Sequence, residues 1–396
     1  MRLLHTADWH LGKSLEGRDR FAEQESFLEE LIQIAEDQKV DAIVMAGDVF
    51  DSVNPPAHAE RLFYDYAQRM ASSERPLFVI AGNHDHPERL SAAEVMAKSS
   101  NIHIWGAPVP EVRTVAVGRD RELLQLAVLP YPSESRLKAS LTDELNEKDL
   151  QLAYDQKLGV LFDSLNDQFR SDCVRIATSH VFAIGGTAEG VERPIEVGGA
   201  YTIGSHQFPI NAQYVALGHL HRAQTLKGNV PIRYAGSPLA YSFSESQHAK
   251  SVTIIEATPD KAATWEEVYV NSGRPLVRWE ADEGLSQVFK WLDEGKDADA
   301  WIDLKLFTNE ALSMETIHQL RKAHEGIVHI QPIFPEQQAA KQQANRASLP
   351  IDDMFHAFYR KQTGGAEVTE DVLALFLELV GETEEVNERE TSLTGN

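Results

Sequence analysis

Cysteine is nearly missing from this chain: Cys173 is the single one in 396 residues. One thiol excludes an internal disulfide and reads as a small core residue. Long apolar runs are missing as well, since none approaches the roughly 18–20 residues needed to span a bilayer. The opening residues Met1-Arg2-Leu3-Leu4-His5 meet Asp8 too soon to supply the apolar region of a signal peptide. Together these absences predict a cytoplasmic protein with no membrane association. Positive charge is scarce, with 37 Lys and Arg against 61 Asp and Glu and a net charge of -24. That excludes a globally basic nucleic-acid binder, but not local phosphate contacts where metal ions supply the positive charge. No period of 20 to 50 residues recurs, so the chain is not a solenoid. Nor is there a complete phosphate-binding loop. Gly12-Lys13-Ser14 matches its end, but Ala7 stands where the motif needs glycine, so no ATPase of this type is carried. The Gly-rich stretch 185–199 lacks the spacing of a dinucleotide loop and reads as a flexible flap.

What is present is an ordinary core composition, 42% hydrophobic and 25% charged, in a length that predicts two or three domains. Arg2 to Ala7, Asp41 to Ala46 and Pro76 to Ile80 read as strands. They alternate with amphipathic helices over 21–38 and 57–72 and a helix over 89–98. That rhythm predicts an α/β layered domain with parallel strands. Further strands are expected at Leu123 to Leu129, Arg175 to Thr178, Tyr214 to Leu217, Ile232 to Ala235 and Val252 to Ile255, with a long polar helix over 143–169. From Arg274, strands at 276–281, 301–306 and 327–333 alternate with helices over 284–294 and 313–325, a small α/β cap. The expected boundaries are 1–273 for the main domain, 274–335 for the cap, 336–382 for a linker and two amphipathic helices, and 383–396 for an acidic disordered tail. In the last two helices, Met354, Phe355, Phe358 and Tyr359, then Val372, Leu375, Phe376 and Leu379, form apolar faces that a segment of about fifty residues cannot bury alone.

The chemistry gathers at strand ends. Asp8 and His10, Asp48, Asn83 and His84, His180, and His219 and His221 each stand just past an apolar strand. Strand ends of an α/β sheet converge on one edge, where ligand sites form. Taken singly, each residue has an ordinary structural reading: a turn, a helix cap or a surface histidine. As a set, they are oxygen and imidazole donors without a thiolate, suited to Mn²⁺, Fe²⁺ or Zn²⁺. Eight ligand-type residues are too many for one ion and enough for two, roughly 3.5–4 Å apart, the spacing that clamps an in-line displacement at phosphorus. His219 and His221, two apart on a strand, would face the same side.

In that order and spacing, Asp8-x-His10, Gly47-Asp48, Gly82-Asn83-His84-Asp85, His180 and Gly218-His219-x-His221 resemble the motifs of the calcineurin-like metallophosphoesterases. The longer strings Asp8-Trp9-His10-Leu11-Gly12, Gly47-Asp48-Val49-Phe50-Asp51 and Tyr234-Ala235-Gly236-Ser237-Pro238-Leu239 resemble the SbcD-type bacterial nucleases within them, over essentially the whole chain. The resemblance implies a sandwich of mixed sheets flanked by helices, with a small cap and C-terminal helices. It also implies two divalent ions, usually Mn²⁺. Asp8, His10, Asp48 and His221 would hold one ion; Asp48, Asn83, His180 and His219 would hold the other. His84 would protonate the leaving 3′-oxygen or stabilise charge on the phosphate. Asp85 reads equally as a positioning residue or a turn former. Some relatives have a histidine where Asp51 stands, so a second phosphate-facing imidazole is not expected.

The implied activity is a Mn²⁺-dependent DNA nuclease for repair and recombination. It would act as a 3′→5′ exonuclease on duplexes and an endonuclease on single strands and hairpins. The implied partners are DNA, an SbcC-type coiled-coil ATPase docked on the C-terminal helices, and a second copy through the helices at 57–72 and 89–98. Two other functions remain open: a phosphodiesterase for small molecules or cyclic nucleotides, and a scaffold that tethers DNA ends. Lys13, Arg18, Arg20 and Arg89 lie near the motifs and could contact phosphates, though solvated surface charge is the plainer reading of each.

Overall fold

A computed structural model describes residues 1–132, 147–188 and 202–334, together with Phe355, His356, Tyr359, Arg360, Val368, Thr369, Val372, Leu373 and Phe376. The chain divides into two compact units. The first comprises Met1–Trp279, Lys290–Leu304 and Met314–Ile330; the second comprises Glu280–Phe289, Lys305–Ser313 and Gln331–Asn396.

Two six-stranded sheets form the body of the first unit. One runs in the order Thr264–Tyr269, Ser251–Glu256, Arg2–Thr6, Ala42–Met45, Leu77–Ile80, Ile102–Trp105. Its last four strands are mutually parallel, and the first two join antiparallel. The other runs Gln224–Leu226, Ile232–Tyr234, Tyr214–Gly218, Val174–His180, Glu122–Leu129, Glu111–Val117. Its four middle strands are parallel and its two edges antiparallel. This is the expected sandwich of mixed sheets.

Side chains two apart along a strand share a face, and the sandwich is built on that period. Leu4, Ile43, Met45, Leu77 and Val79 face helices Phe21–Asp37 and Ala57–Met70, packing with Phe27, Leu31 and Phe63. Leu3, Ala42, Val44, Phe78 and Ile80 point the opposite way and meet Leu124, Leu126, Val128, Val174 and Ile176 of the second sheet. That sheet turns Ala127, Leu129, Ala177 and Leu217 outward onto Tyr154, Leu158, Phe162 and Leu165 of helix Glu147–Asn166. The layers are therefore helix, sheet, sheet, helix. Both sheets are covered on both faces, which is why their inner strands read as continuous apolar runs.

Departures from the sequence expectation occur where burial is weak. Strands Glu111–Val117 and Thr264–Tyr269 were not anticipated. They are edge strands with almost no fully buried side chain, so they carry no apolar signature. The helix expected over 89–98 is two short pieces, Pro87–Ser91 and Glu94–Ala97, closed by a 3₁₀ turn Lys98–Ser100. Only Leu90 among them is buried, while Val95 and Met96 are 87% and 80% exposed, so tertiary packing does not hold one long helix.

Strands Leu276–Ala281, Trp301–Phe307 and Ile327–Ile333 form a three-stranded sheet in that order, with helices Leu285–Asp293 and Met314–Ala323 between them in sequence. In the second unit Lys305 pairs with Glu280 at 2.6 Å, and the rings of Phe355 and Phe376 stack at 3.9 Å. The rest of the expected C-terminal helices, including Met354, Phe358, Leu375 and Leu379, lies outside the described residues, as do the acidic tail and 189–199 of the glycine-rich stretch. No described helix is long and apolar enough to cross a membrane.

Candidate metal centre

Parallel strands bring their C-terminal ends to one edge, and both sheets deliver theirs to the same place. Asp8 lies two residues past Thr6, Asp48 three past Met45, and Asn83 three past Ile80. His180 is the last residue of its strand, and His219 follows Gly218 directly. His219-Leu220-His221 is irregular rather than strand, with His219 at φ 108. The two imidazoles therefore reach the site through a turn, while Leu220 between them is buried in the core of the second sheet.

The backbone here is strained and bonded into place. Asp8, His10 and Asp48 have φ of 55, 44 and 55, in the left-handed region that costs non-glycine residues about 1–3 kcal/mol each. Asp8 N–H donates to the Gly47 carbonyl and His10 N–H to the Asp48 carbonyl, both at 3.0 Å, which locks the first two loops together. Two glycines permit close approach. A Cβ on Gly82 would overlap the Asp48 carboxylate and backbone nitrogen, and one on Gly47 would overlap the His180 ring.

All eight sequence candidates meet in one chain of contacts. His10 Nε2 lies 3.0 Å from His221 Nε2. Asp48 Oδ2 is 3.6 Å from His10 Nε2 and 3.4 Å from His180 Nε2. Asn83 Oδ1 is 2.9 Å from His180 Nε2 and 3.0 Å from His219 Nδ1. Asp8 accepts from the His219 N–H at 3.0 Å, and Asp48 Oδ1 accepts from the His84 N–H at 2.8 Å. The rings of His10 and His84 meet edge-on at 4.7 Å.

Surrounding groups set which ring nitrogen faces inward. His180 Nδ1 donates to the Ala46 carbonyl at 2.8 Å, so Nε2 faces Asp48 and Asn83. His84 Nδ1 donates to the Asp51 carbonyl at 2.7 Å. Asp85, left between two readings by the sequence, accepts from the N–H groups of Val49, Phe50 and Gly82 at 3.1, 2.9 and 2.9 Å. It ties the loop after the third strand to the loop after the second, which is a positioning role.

Burial dominates the electrostatics. It pushes the Asp8 carboxyl up to about 7 and pulls the His10 and His219 imidazoles down to about 4 and about 3. Burial would also depress His180, but the Asp48 charge beside it raises it to about 9. Against the same burial, His180 holds Asp48 well below the usual carboxylate range. A proton on His180 thus stands where a cation's charge is called for.

These groups fit divalent metal. Asp8, His10 and His221 could hold an ion together, as could Asp8, Asp48 and His180; in each group the ligand atoms lie within 4.8 Å of one another. His10, Asp48 and His84 form a third such group, so proximity alone does not separate His84 from the ligands. The facing nitrogens of His10 and His221 leave room for at most one proton between them. They form a donor pair for a cation. Buried His219 Nε2 has no hydrogen-bond partner among the described residues.

Further side chains border the site. Lys13 Nζ pairs with Asp51 Oδ1 at 2.7 Å, and the same oxygen lies 3.5 Å from His10 Nδ1. The Tyr241 ring lies 5.5 Å from His10 and 5.9 Å from His221, and its hydroxyl donates to the Trp9 carbonyl. Buried Glu245 approaches His221 from outside the cluster. Asp51 had a signal, lying three residues after Asp48, but Tyr241 and Glu245 come from a serine-rich loop with no motif of their own.

Residues 1–223 match the family model for calcineurin-like phosphoesterases. Along nearly its whole length the chain is also similar to the SbcD component of the nuclease SbcCD from Bacillus subtilis (strain 168), with 52% identity over 97% of this chain and 99% of the relative. The chain belongs to the calcineurin-like phosphoesterase family, among its SbcD nucleases. The SbcD component from Escherichia coli (strain K12) is 28% identical over 90% of this chain and 92% of its own. A second model, described as the type 5 capsule protein repressor C-terminal domain, matches residues 272–363. As an SbcD-family member the protein is a metal-dependent nuclease, and the buried cluster at the sheet ends could hold a metal ion.

Proposed function

We propose that the protein hydrolyses DNA phosphodiester bonds with two divalent ions, Mn²⁺ by preference. Asp8, His10, Asp48 and His221 would hold one ion; Asp48, Asn83, His180 and His219 would hold the other, with Asp48 serving both. The observation that carries this reading is the position of Asp48 Oδ2, between His10 Nε2 at 3.6 Å and His180 Nε2 at 3.4 Å. When bound, the ions would draw charge from the non-bridging oxygens of the scissile phosphate. His84 is not a ligand. With Nδ1 committed to the Asp51 carbonyl, Nε2 is the atom that holds or moves a proton, and its task is to protonate the leaving 3′-oxygen. Asp48 orients it by accepting its backbone N–H. The donor set of oxygen and imidazole favours Mn²⁺, Fe²⁺ or Zn²⁺ over thiolate-bound metals.

The substrate in this reading is DNA at ends and hairpins, cleaved 3′→5′ on duplexes and internally on single strands and hairpins. The relatives' name, which makes each of them one part of a nuclease called SbcCD, supports a two-component assembly with an SbcC-type coiled-coil ATPase. The C-terminal helices dock on that ATPase, and two copies pair through the faces at 57–72 and 89–98. Removing the chain beyond Gln338 should abolish association with the ATPase; unchanged association would refute the docking.

The deciding assay compares linear and hairpin DNA with a small phosphodiester, with and without Mn²⁺ and the ATPase partner. Metal-dependent DNA cleavage is expected. Faster turnover of the small diester would favour a small-molecule phosphodiesterase, which the -24 charge suits better. His84→Ala should lower cleavage by about 10²–10⁴ while two ions still bind. Intact cleavage would remove His84 from catalysis.

A further inference from the structure

Glu245 is the one buried acid beside the cluster that the reading above leaves without a task. It ends the 3₁₀ turn Phe243–Glu245, has no exposed surface, and belongs to none of the motifs. Its Oε1 is 3.5 Å from His221 Nδ1 and accepts from the Tyr241 N–H at 3.1 Å. Its Oε2 is 2.5 Å from Lys250 Nζ and 3.4 Å from the Ser237 hydroxyl. Lys250 Nζ also donates to the His221 carbonyl at 3.1 Å, as does the Ser237 N–H at 3.1 Å. One ion pair, with Glu245 fully buried and Lys250 partly so, therefore grips residue 221 at both its ring and its backbone.

The chemistry of the pair is asymmetric. An ionised carboxylate only accepts, so an imidazole nitrogen facing it carries the proton. For His221 that nitrogen is Nδ1, which leaves the Nε2 lone pair toward His10 and the rest of the cluster. A separation of 3.5 Å is long for a hydrogen bond, but the attraction of a full charge falls only as the inverse of distance and is little screened away from water. Lys250 balances Glu245, so the pair orients His221 without adding net negative charge to a cluster that already holds Asp8 and Asp48. A purely structural acid would have no cause to face the ring nitrogen opposite the site.

We propose that Glu245, held by Lys250, is a positioning residue that sets the tautomer and orientation of His221 and so tunes the affinity of the ion His221 holds. The proposal rests on His221 being a metal ligand. Partners that orient a ligand histidine typically account for 10–100-fold in metal affinity. The Glu245–Lys250 pair should do so for one ion and not for the other.

The test is Mn²⁺ titration by calorimetry of the full-length protein and of Glu245→Gln, Lys250→Met, His221→Ala and the double variant Glu245→Gln/His221→Ala. The wild type should bind two equivalents; if it binds none, the metal reading itself fails, and this proposal with it. Glu245→Gln should weaken one equivalent by 10–100-fold and leave the other within about threefold, and Lys250→Met should shift the affinity of that same equivalent alone. In the His221→Ala background, Glu245→Gln should add nothing, because the two act on one interaction. Two outcomes would overturn the proposal while leaving the metal site standing: unchanged affinity for both ions, or equal weakening of both with lower metal-free melting temperature. Should the variants not fold, imidazole ¹⁵N spectra of the metal-free wild type decide. A proton on His221 Nδ1 supports the assignment, and one on Nε2 overturns it.

Discussion

At the scale of single residues, the site depends on side chains that are absent as well as present. Gly82 has no room for a Cβ against Asp48. Gly82→Ala should cost about 1–3 kcal/mol by overpacking, and should cut cleavage because the group displaced is the proposed bridging ligand. Thermal melting and a DNA cleavage assay check both effects. His5, which no motif marks, lies between the sheets with Nδ1 at 3.1 Å from the Tyr214 hydroxyl and Nε2 at 3.1 Å from the Leu217 carbonyl. Burial, aided by the charge of Arg233, lowers its pKa from 6.5 to about 3. The unfolded chain then binds the proton more readily than the folded one. The contribution of neutral His5 is complete above pH 6.5 and is lost as pH falls from 6.5 toward 3. Urea midpoints between pH 7 and 4 should therefore fall with pH, and His5→Gln should flatten the slope by up to about 1.4 kcal/mol per pH unit. An unchanged slope would mean His5 titrates normally. The motif residues were legible because asparagine, aspartate and histidine straight after apolar strands are costly unless they have a task. Glu245 was not, because its meaning lies in what it faces.

Among elements, legibility followed burial. Strands Arg2–Thr6, Ala42–Met45 and Leu77–Ile80 read clearly as apolar runs because both faces are covered. The edge strands Glu111–Val117 and Thr264–Tyr269 did not, since solvent on one side removes the run. The region 89–98 failed as a single helix for a related reason: its apolar residues have little of this chain to pack on. Val95 and Met96 stand 87% and 80% exposed on the short helix Glu94–Ala97. If the proposed pairing of two copies uses this face, Val95→Glu with Met96→Glu should convert a dimer into a monomer in sedimentation at micromolar concentration. A dimer that survives the change would place the interface elsewhere.

For the whole molecule, charge is the governing quantity. A net charge of -24 and a buried cluster containing Asp8, Asp48 and Asp85 both oppose the folded state unless cations are present. Stripping divalent metal should lower the melting temperature. Restoring it at about 100 times its dissociation constant should return about 2.7 kcal/mol for each ion bound, measured by calorimetric melting with and without chelator. Equal melting temperatures would mean that the cluster binds no metal in the folded state. The same charge predicts weak DNA association without metal, reaching the backbone through bound cations rather than through a basic face.

The sequence by itself determined the metallophosphoesterase class, the eight polar residues of the candidate site and the order in which strands present them. Those features are local: an apolar run, a glycine, then ligand-type side chains. Tertiary structure decided what no local pattern encodes. It chose which sheet each strand joins, turned His219 and His221 inward through a positive-φ turn rather than a strand pleat, and set Asp85 and Glu245 behind the site. Each of these depends on a partner distant in the chain, and a charge or a ring nitrogen takes its role from the group it meets.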